Sequence, residues 1–128
     1  MRLALCQLDA TVGDLDGNAS RILLAAKKAS AAGADLAVFP ELAITGYPPR
    51  DLLDRPSFVD ASLAALEQVV ARLPAGLTVA LGFVDRAPSA ASRRLHNAVA
   101  VVRDGQVLCT AHKRLLPSYD VFDEDRHF

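Results

Sequence analysis

The stretch Leu36-Ala-Val-Phe-Pro-Glu-Leu-Ala-Ile-Thr-Gly-Tyr-Pro-Pro-Arg50 decides the fold that we predict for this chain. Its first four residues are apolar and predict a short buried strand, which ends at Pro40 because proline cannot donate to a sheet. A loop rich in glycine and proline follows. The strand therefore presents Glu41 at its carboxyl end, which is where open α/β proteins place ligands and chemistry.

Apolar runs and turn signals on both sides of this stretch predict the rest of a sheet. The predicted strands are Arg2–Leu8, Leu36–Phe39, Leu77–Val84, Leu95–Arg103 and Gln106–His112. Asp104-Gly105 joins the last two strands, since Asp-Gly suits the left-handed turn of a two-residue hairpin. Residues 85–94 are polar and predict a surface loop.

Two segments have the apolar spacing of amphipathic helices. The first begins at the 14–18 turn, where Asp16 or Asn18 could cap it, and ends at about Ala32. The second runs from about Ser57 to Leu73, with Phe58 and Leu73 among the residues on its apolar side. The order strand, helix, strand at the start of the chain predicts a parallel pair with a right-handed crossover.

The predicted strands are apolar at almost every position, so both faces of the sheet require cover. Two helices can cover only one face of a five-stranded sheet. The other face would expose an apolar patch above the roughly 300–600 Å² that a monomer usually tolerates. We therefore expect these residues to be part of a larger domain or assembly.

Composition excludes several classes of function. The chain has 128 residues, of which 52% are apolar and 23% charged, with a formal net charge of −1 and a pI near 6.3. This charge gives no reason to expect nucleic acid or an anionic membrane as a partner. Neither a membrane span nor a signal peptide is recognisable, so we expect a cytoplasmic protein. Cys6 and Cys109 lie in apolar runs and are expected to be buried hydrophobes rather than a disulfide or a metal pair.

Glu41 is the leading candidate for a general base, although a glutamate at a strand end is also an ordinary surface carboxylate. We expect an apolar surrounding for it, because burial moves carboxylates toward the proton affinity that a base needs. Lys113 follows the last strand and could stabilise an oxyanion with its ammonium group. The aromatic side chains of Tyr47, Tyr119 and Phe122 could line a small-molecule pocket.

We predict no metal site, because His96, His112 and His127 lack the spacing of metal ligands. The chain also has no glycine-rich phosphate loop, so no cofactor-binding residues are predicted in it.

Three segments together resemble the carbon–nitrogen hydrolases of the nitrilase superfamily, and more narrowly the N-terminal glutaminase domain of glutamine-dependent NAD⁺ synthetases. They are Met1-Arg-Leu-Ala-Leu-Cys-Gln-Leu-Asp9, Phe39-Pro-Glu-Leu-Ala-Ile-Thr-Gly-Tyr-Pro-Pro-Arg-Asp-Leu-Leu53 and His112-Lys-Arg-Leu-Leu-Pro-Ser-Tyr-Asp-Val-Phe-Asp-Glu-Asp-Arg-His-Phe128. The Pro-Glu and His-Lys elements are common to the superfamily. The Thr-Gly-Tyr-Pro-Pro-Arg and Leu-Pro-Ser-Tyr-Asp-Val-Phe elements indicate the synthetase branch.

The resemblance implies an α/β fold, in which this chain supplies two outer helices and one five-stranded mixed sheet of a four-layer α-β-β-α sandwich. It also implies a cysteine-dependent amidase with Glu41 as general base and Lys113 as oxyanion stabiliser. Glu124 would be a supporting carboxylate, Tyr119 would contact L-glutamine, and Tyr47 is a further pocket candidate. Glu41 and Lys113 would then converge on the rims of neighbouring strands.

Further partners follow from the same resemblance. The ammonia would pass to a C-terminal synthetase domain that makes NAD⁺ from nicotinic acid adenine dinucleotide, and ATP and Mg²⁺ are implied for that domain. A homo-oligomer is also implied, and an outward-facing Leu24 is compatible with it. The resemblance also implies that the nucleophilic cysteine lies on a strand after the Lys113 segment, beyond Phe128. Neither Cys109, about 13 Å from Lys113 along an extended strand, nor Cys6, in the first strand, is a convincing substitute. We therefore predict that residues 1–128 alone hydrolyse no glutamine.

Two alternatives remain open from the sequence. Another carbon–nitrogen hydrolase, such as an amidase or a carbamoylase, would share Glu41 and Lys113 but supply no synthetase. A non-catalytic α/β assembly module would keep the scaffold without the nucleophile. An ATP-binding loop in the same reading frame would favour the synthetase, and a natural product of 128 residues would favour the module.

Overall fold

The computed structural model describes residues 1–87, 95–119 and 122–128. In these residues the strands are β1 (Leu3–Leu5), β2 (Leu36–Val38), β3 (Thr78–Arg86), β4 (Leu95–Arg103) and β5 (Gln106–His112). The α-helices are α1 (Leu15–Ala31) and α2 (Pro56–Arg72), and short 3-10 helices cover Arg50–Asp54 and Glu124–Arg126.

The five strands form one sheet in the order β1-β2-β3-β4-β5. The pairs β1–β2 and β2–β3 are parallel, whereas β3–β4 and β4–β5 are antiparallel. This arrangement confirms the mixed five-stranded sheet with two helices that the sequence predicts. Of the helices described, none is long and apolar enough to cross a lipid bilayer.

Strand lengths follow from which partners are available. The first strand ends at Leu5 rather than at the predicted Leu8, because its partner β2 ends at Val38 and offers only one further acceptor, to Cys6. Conversely, β3 ends two residues later than predicted, because residues 85 and 86 pair with the start of β4. The hairpin between β4 and β5 is confirmed, with positive φ at Asp104 and Gly105. Residues 88–94 of the predicted surface loop lie outside the described residues.

The helix α1 begins one turn earlier than the predicted caps allow. Asp14 is the cap and accepts a hydrogen bond from the Gly17 amide at 3.0 Å, so the assignment of the cap to Asp16 or Asn18 is wrong. Asn18 is fully buried instead, and its side-chain amide donates to the carbonyls of Thr11 at 2.8 Å and Ile44 at 3.0 Å. The start of α1 is thereby fixed against the turn that follows Glu41.

Both helices pack on the same face of the sheet and bury the main core there. Along α2, Val59 and Ala65 are buried. Phe58 of α2 and Leu73, which caps its end, are partly buried and pack against the buried clusters, which agrees with their predicted place on the apolar side. Leu24 of α1 is exposed, as predicted. The core includes Ile22, Ala26, Ala29, Leu66, Val69, Val79, Leu81, Phe83, Ala98, Ala100 and Val102.

The face opposite the helices, called the open face below, carries the alternate residues of the same strands. Leu3 and Leu5 of β1 and Val99 of β4 lie on it and are exposed. All residues of β5 are exposed, so the prediction that Cys109 is buried is wrong. The error has a physical cause: an apolar run indicates burial only where another layer covers the strand.

Candidate active site

Glu41 reaches the site because the chain after β2 crosses over β3 on the open face. The crossing point is Gly82, where an added Cβ would lie 2.5 Å from the carbonyl oxygen of Pro40 and 2.6 Å from the amide nitrogen of Leu42. Real Cβ atoms do not approach backbone so closely, so the crossing requires glycine. The crossing carries Glu41 from the end of β2 toward β4.

Lys113 follows β5, the strand at the opposite edge of the sheet from β1. Its amide donates to the carbonyl of Asn97 at 2.8 Å, which continues the β4–β5 pairing by one residue. The Lys113 Nζ lies 2.8 Å from Glu41 Oε1. The structure therefore brings together the predicted acid and amine. The strands that deliver them are not neighbours, however, because β3 and β4 lie between β2 and β5, and the crossing at Gly82 closes that gap.

Glu124 is a second carboxylate on the same ammonium group. Lys113 Nζ lies 3.1 Å from its Oε1 and 3.0 Å from its Oε2. The Glu124 side chain is only 5% exposed, and the Tyr47 hydroxyl donates to its Oε1 at 2.7 Å. Lys113 thus bridges Glu41 and Glu124, and Tyr47 holds the second carboxylate from behind.

The turn after Glu41 is held in an unfavourable backbone conformation by its packing. Leu42 has a φ of 48°, in the left-handed region that a bulky side chain avoids at a cost of roughly 1–3 kcal/mol. Its side chain is fully buried among Leu53, Val59, Val84 and Leu95. The Gly46 amide closes the turn on the Leu42 carbonyl at 2.9 Å. This apolar cluster therefore fixes the backbone beside Glu41.

Asn97 is a site residue that the sequence reasoning missed. It is 4% exposed, and its side-chain amide donates to Glu41 Oε1. A signal for it was present, because Asn97 interrupts an apolar strand and a buried amide requires a partner. Gly82 was missed as well, although a glycine inside an apolar strand often marks the close approach of another backbone.

The charges of the cluster determine how its members are protonated. Burial lowers the pKa of Lys113, but its hydrogen bonds to Glu41 and Glu124 outweigh this and leave the pKa above its ordinary value. The pKa of Tyr47 is raised by burial and further by the hydrogen bond to Glu124. Lys113 is therefore an ammonium at neutral pH, and Tyr47 is a neutral donor.

The surroundings of Glu41 differ from the predicted apolar pocket. Its side chain is 43% exposed and contacts polar partners, Lys113 and Asn97. The Glu41 carboxylate nevertheless lies at the edge of an apolar cavity of about 300 Å³ on the open face. The lining residues are Phe39, Pro40, Glu41, Gly82, Asn97, Ala98, Val99, Ala111, His112 and Lys113.

The predicted aromatic residues separate into two groups. Tyr47 and Phe122 line a second cavity of about 390 Å³ together with Glu124, and their ring centroids are 6.3 Å apart. Tyr119 is 70% exposed and lines neither cavity. Its ring packs edge-to-face with that of Phe122, with the ring centroids 5.6 Å apart. The structure thus places Tyr47 in the cluster and leaves Tyr119 outside it.

The two cysteines are far from each other and from the cluster. Cys6 follows β1 and Cys109 lies on β5, at opposite edges of the sheet, which excludes a disulfide between them. Burial raises the pKa of the Cys6 thiol and so disfavours its thiolate. Neither cysteine lines the cavity at Glu41. Across residues 1–87, 95–119 and 122–128, no three histidine, cysteine or acidic side chains gather in a way that could hold a metal ion.

Comparison with known proteins gives matches over nearly the whole chain. The model of the carbon-nitrogen hydrolase family matches residues 2–128. A glutamine-dependent NAD(+) synthetase from Synechocystis is 43% identical over 129 residues, covering 98% of this chain and 23% of the relative. The chain therefore spans less than a quarter of the length of the curated relatives that it matches.

Solved structures match in the same way. The glutamine-dependent NAD+ synthetase from Acinetobacter baumannii superposes with a TM-score of 0.84 at 36% identity, over 98% of this chain and 23% of that one. An amidase from Nesterenkonia superposes with a TM-score of 0.78 at 28% identity, over 100% of this chain and 47% of that one. A variant of that amidase shows covalent addition of the acetamide moiety of fluoroacetamide at the active-site cysteine.

Proposed function

This chain belongs to the carbon–nitrogen hydrolase family, and on that premise we propose that it supplies the general base and the oxyanion-stabilising cation of a glutaminase. The observation that carries the proposal is the contact of Lys113 Nζ with Glu41 Oε1, 2.8 Å long, at the edge of the cavity on the open face. An acid–base group and a fixed cation at one small cavity are the parts that acyl transfer requires.

In the proposed reaction, Glu41 accepts the proton of a cysteine thiol, and the resulting thiolate attacks the side-chain amide carbon of glutamine. Lys113 stabilises the oxyanion of the tetrahedral intermediate. Glu41 returns the proton to the departing nitrogen, which leaves as ammonia and gives a thioester. Glu41 then takes a proton from water, whose oxygen attacks the thioester. The carbon–sulfur bond breaks, Glu41 gives the proton from water to the leaving sulfur, glutamate is released and the thiol is restored.

Glu124 and Tyr47 support this chemistry through Lys113. The ammonium group has one carboxylate on the cavity side, Glu41, and one behind it, Glu124, so its position does not depend on Glu41 alone. Glu124 therefore acts as a supporting carboxylate. Tyr47 orients Glu124 through its hydroxyl, and we retain Tyr119 as a contact for L-glutamine because its ring is accessible.

We further propose that the thiolate comes from a segment outside residues 1–128. Neither Cys6 nor Cys109 lines the cavity, and four residues of extended strand separate Cys109 from Lys113 by about 13 Å. The active-site cysteine of the related amidase supports a thiolate mechanism. We therefore expect that the purified 128-residue chain releases no ammonia from glutamine, and thiol-dependent release by that chain would contradict this assignment.

The comparisons favour glutamine as the amide substrate. The chain is 42–43% identical to synthetases named as glutamine-dependent and 28% identical to the amidase. On this basis the ammonia would be consumed by an ATP-dependent NAD⁺ synthetase domain, which also brings Mg²⁺ chemistry, within a cytoplasmic homo-oligomer. The amidase or carbamoylase alternative shares Glu41 and Lys113 but accepts another amide and supplies no synthetase.

The test is ammonia release by the intact protein that contains this chain, with glutamine and with simple aliphatic amides as substrates. We expect hydrolysis of glutamine, and its loss in Glu41→Gln and Lys113→Gln variants. Lys27→Gln on the exposed side of α1 is the matched control. Hydrolysis of aliphatic amides alone would favour the amidase alternative. A protein that hydrolyses neither class would favour the non-catalytic assembly module.

A further inference from the structure

Asn97 is a buried amide that contacts both charged groups of the proposed site. It lies on β4, between β3 and β5, and is 4% exposed. Its side-chain nitrogen donates to Glu41 Oε1, and its backbone carbonyl accepts from the Lys113 amide at 2.8 Å. One rigid residue of a central strand is thus joined to the base through its side chain and to the cation through its backbone.

The two hydrogen bonds to Glu41 distinguish its two oxygens. Oε1 accepts from the Asn97 amide and from Lys113 Nζ, whereas in the part of the chain that the structure describes no hydrogen bond reaches Oε2. An amide nitrogen and an ammonium group are donors only. A proton could add to Oε1 only by displacing one of them, so Oε2 is the oxygen that remains available to accept a proton.

We propose that Asn97 is a positioning residue that holds Glu41 with Oε1 on Lys113 and directs Oε2 to the reacting proton, an inference that rests on the proposed function. The need for such a residue follows from the exposure of Glu41. The Glu41 side chain is 43% exposed and belongs to the segment that crosses Gly82, so packing alone does not fix its rotamer. A neutral donor suits this task, because it orients the carboxylate without adding a second positive charge.

The experiment is a comparison of kcat and KM in Asn97→Leu and wild-type intact protein. Leucine has the same branching as asparagine, although it is larger, and it cannot donate a hydrogen bond. We expect kcat to fall about 10–100-fold, in line with a displaced catalytic group, with KM within about twofold. Val101→Thr, on the open face of the same strand, is the matched control.

A second variant guards against misfolding. Asn97→Asp keeps the shape and replaces the donor with an acceptor beside Glu41, so kcat should fall at least as far as in Asn97→Leu. A folded variant of either kind with unchanged kcat would overturn the proposal. If both variants fail to fold, an atomic-resolution structure of the wild type decides. An Asn97 nitrogen within about 3.2 Å of Oε1, with Oε2 toward the cavity, supports it, and the reverse orientation overturns it.

The outcome is separable from that of the proposed function. If the intact protein hydrolyses another amide instead of glutamine, the same variants measured with that amide still test Asn97. If glutamine is hydrolysed and the variants behave as wild type, only the role of Asn97 is lost.

Discussion

Adjacent residues of β3 and β4 serve opposite purposes on the two faces of the sheet. On the helix-covered face, Leu81 is fully buried and Ala98 is 5% exposed, both within the main core. One residue further along each strand in the direction of the site, Gly82 admits the segment that carries Glu41, and Asn97 donates to that carboxylate. On the same two strands, the packed core and the proposed site are therefore one residue apart.

This comparison indicates what each face tolerates. The helix-covered face is filled by side-chain volume, so changes of volume should act on the free energy of unfolding. The open face near Glu41 is built from donors, acceptors and a backbone crossing, so changes of polarity should act on catalysis. The variants that follow test whether the two faces are in fact independent.

The largest effect is expected from Glu41→Gln in the intact protein. Removal of the proposed general base should lower kcat for ammonia release by about 10³-fold. The free energy of unfolding should change by less than about 1 kcal/mol, because the ion pair with Lys113 is partly exposed. Asp60→Asn, which removes the partner of Arg86 in an exposed ion pair 2.8 Å long, is the control. A similar loss of kcat in both variants would contradict the assignment of Glu41.

Leu81→Ala tests the opposite face. The side chain is fully buried in the main core, so its truncation should destabilise the protein by about 2–5 kcal/mol. The value of kcat per folded molecule should stay within about twofold of the wild type. Leu24→Ala, which truncates a leucine that is 56% exposed, should change the free energy of unfolding by less than about 0.5 kcal/mol. Urea unfolding and kcat at the same temperature measure both quantities, and a large loss of kcat in Leu81→Ala would show that the faces are coupled.

Gly82→Ala should lower both stability and kcat, because Gly82 is the open-face position that contacts the backbone of residues 40–42. The added Cβ would lie 2.5 Å from the Pro40 carbonyl oxygen, so the segment that carries Glu41 must move away from β3. We expect a loss of about 1–3 kcal/mol of stability from overpacking. We also expect a fall in kcat of about 10²-fold from the displaced base.

The control for Gly82→Ala is Ala80→Ser, which adds one atom to the same face of β3 two residues earlier. A Gly82→Ala variant with wild-type kcat would mean that the crossing can shift without moving Glu41 from Lys113.

Sequence alone predicted the parts of this architecture that depend on local patterns. The Asp104-Gly105 turn fixed β4 and β5 to the residue, and the Pro-Glu and His-Lys elements identified Glu41 and Lys113. Their contact, 2.8 Å across two intervening strands, depends on Gly82, and nothing in the local pattern states which backbone a glycine admits.

The errors share the same cause. The apolar run around Cys109 predicted burial, but burial depends on a covering layer that no local pattern encodes. The location of Tyr119, which stays a predicted glutamine contact, also could not be derived from a local pattern, because the segment after Lys113 has no helical or strand periodicity. Asn97 could be recognised only once Glu41 was known to lie over β3. The helices and strands could therefore be predicted from the sequence, whereas the contacts between distant segments could not.

The smallest expected effect is a loss of stability at alkaline pH that originates behind Lys113. The pKa of Tyr47 is raised by burial and by the hydrogen bond to Glu124, and that of Lys113 is raised by its two carboxylate partners despite burial. A group whose pKa is higher in the folded state stabilises the fold fully below its unfolded value, and that contribution is lost as the pH rises through the folded value. For both groups the loss therefore begins above about pH 10.

Tyr47→Phe removes one of them, so its urea midpoint should fall less steeply between pH 9.5 and pH 11 than that of the wild type, by an amount worth less than about 1 kcal/mol. Tyr119→Phe, at a ring that is 70% exposed, should retain the wild-type slope. Equal slopes in all three proteins would mean that the phenol of Tyr47 is not held neutral by Glu124, and the second carboxylate would then have to be fixed by Lys113 alone.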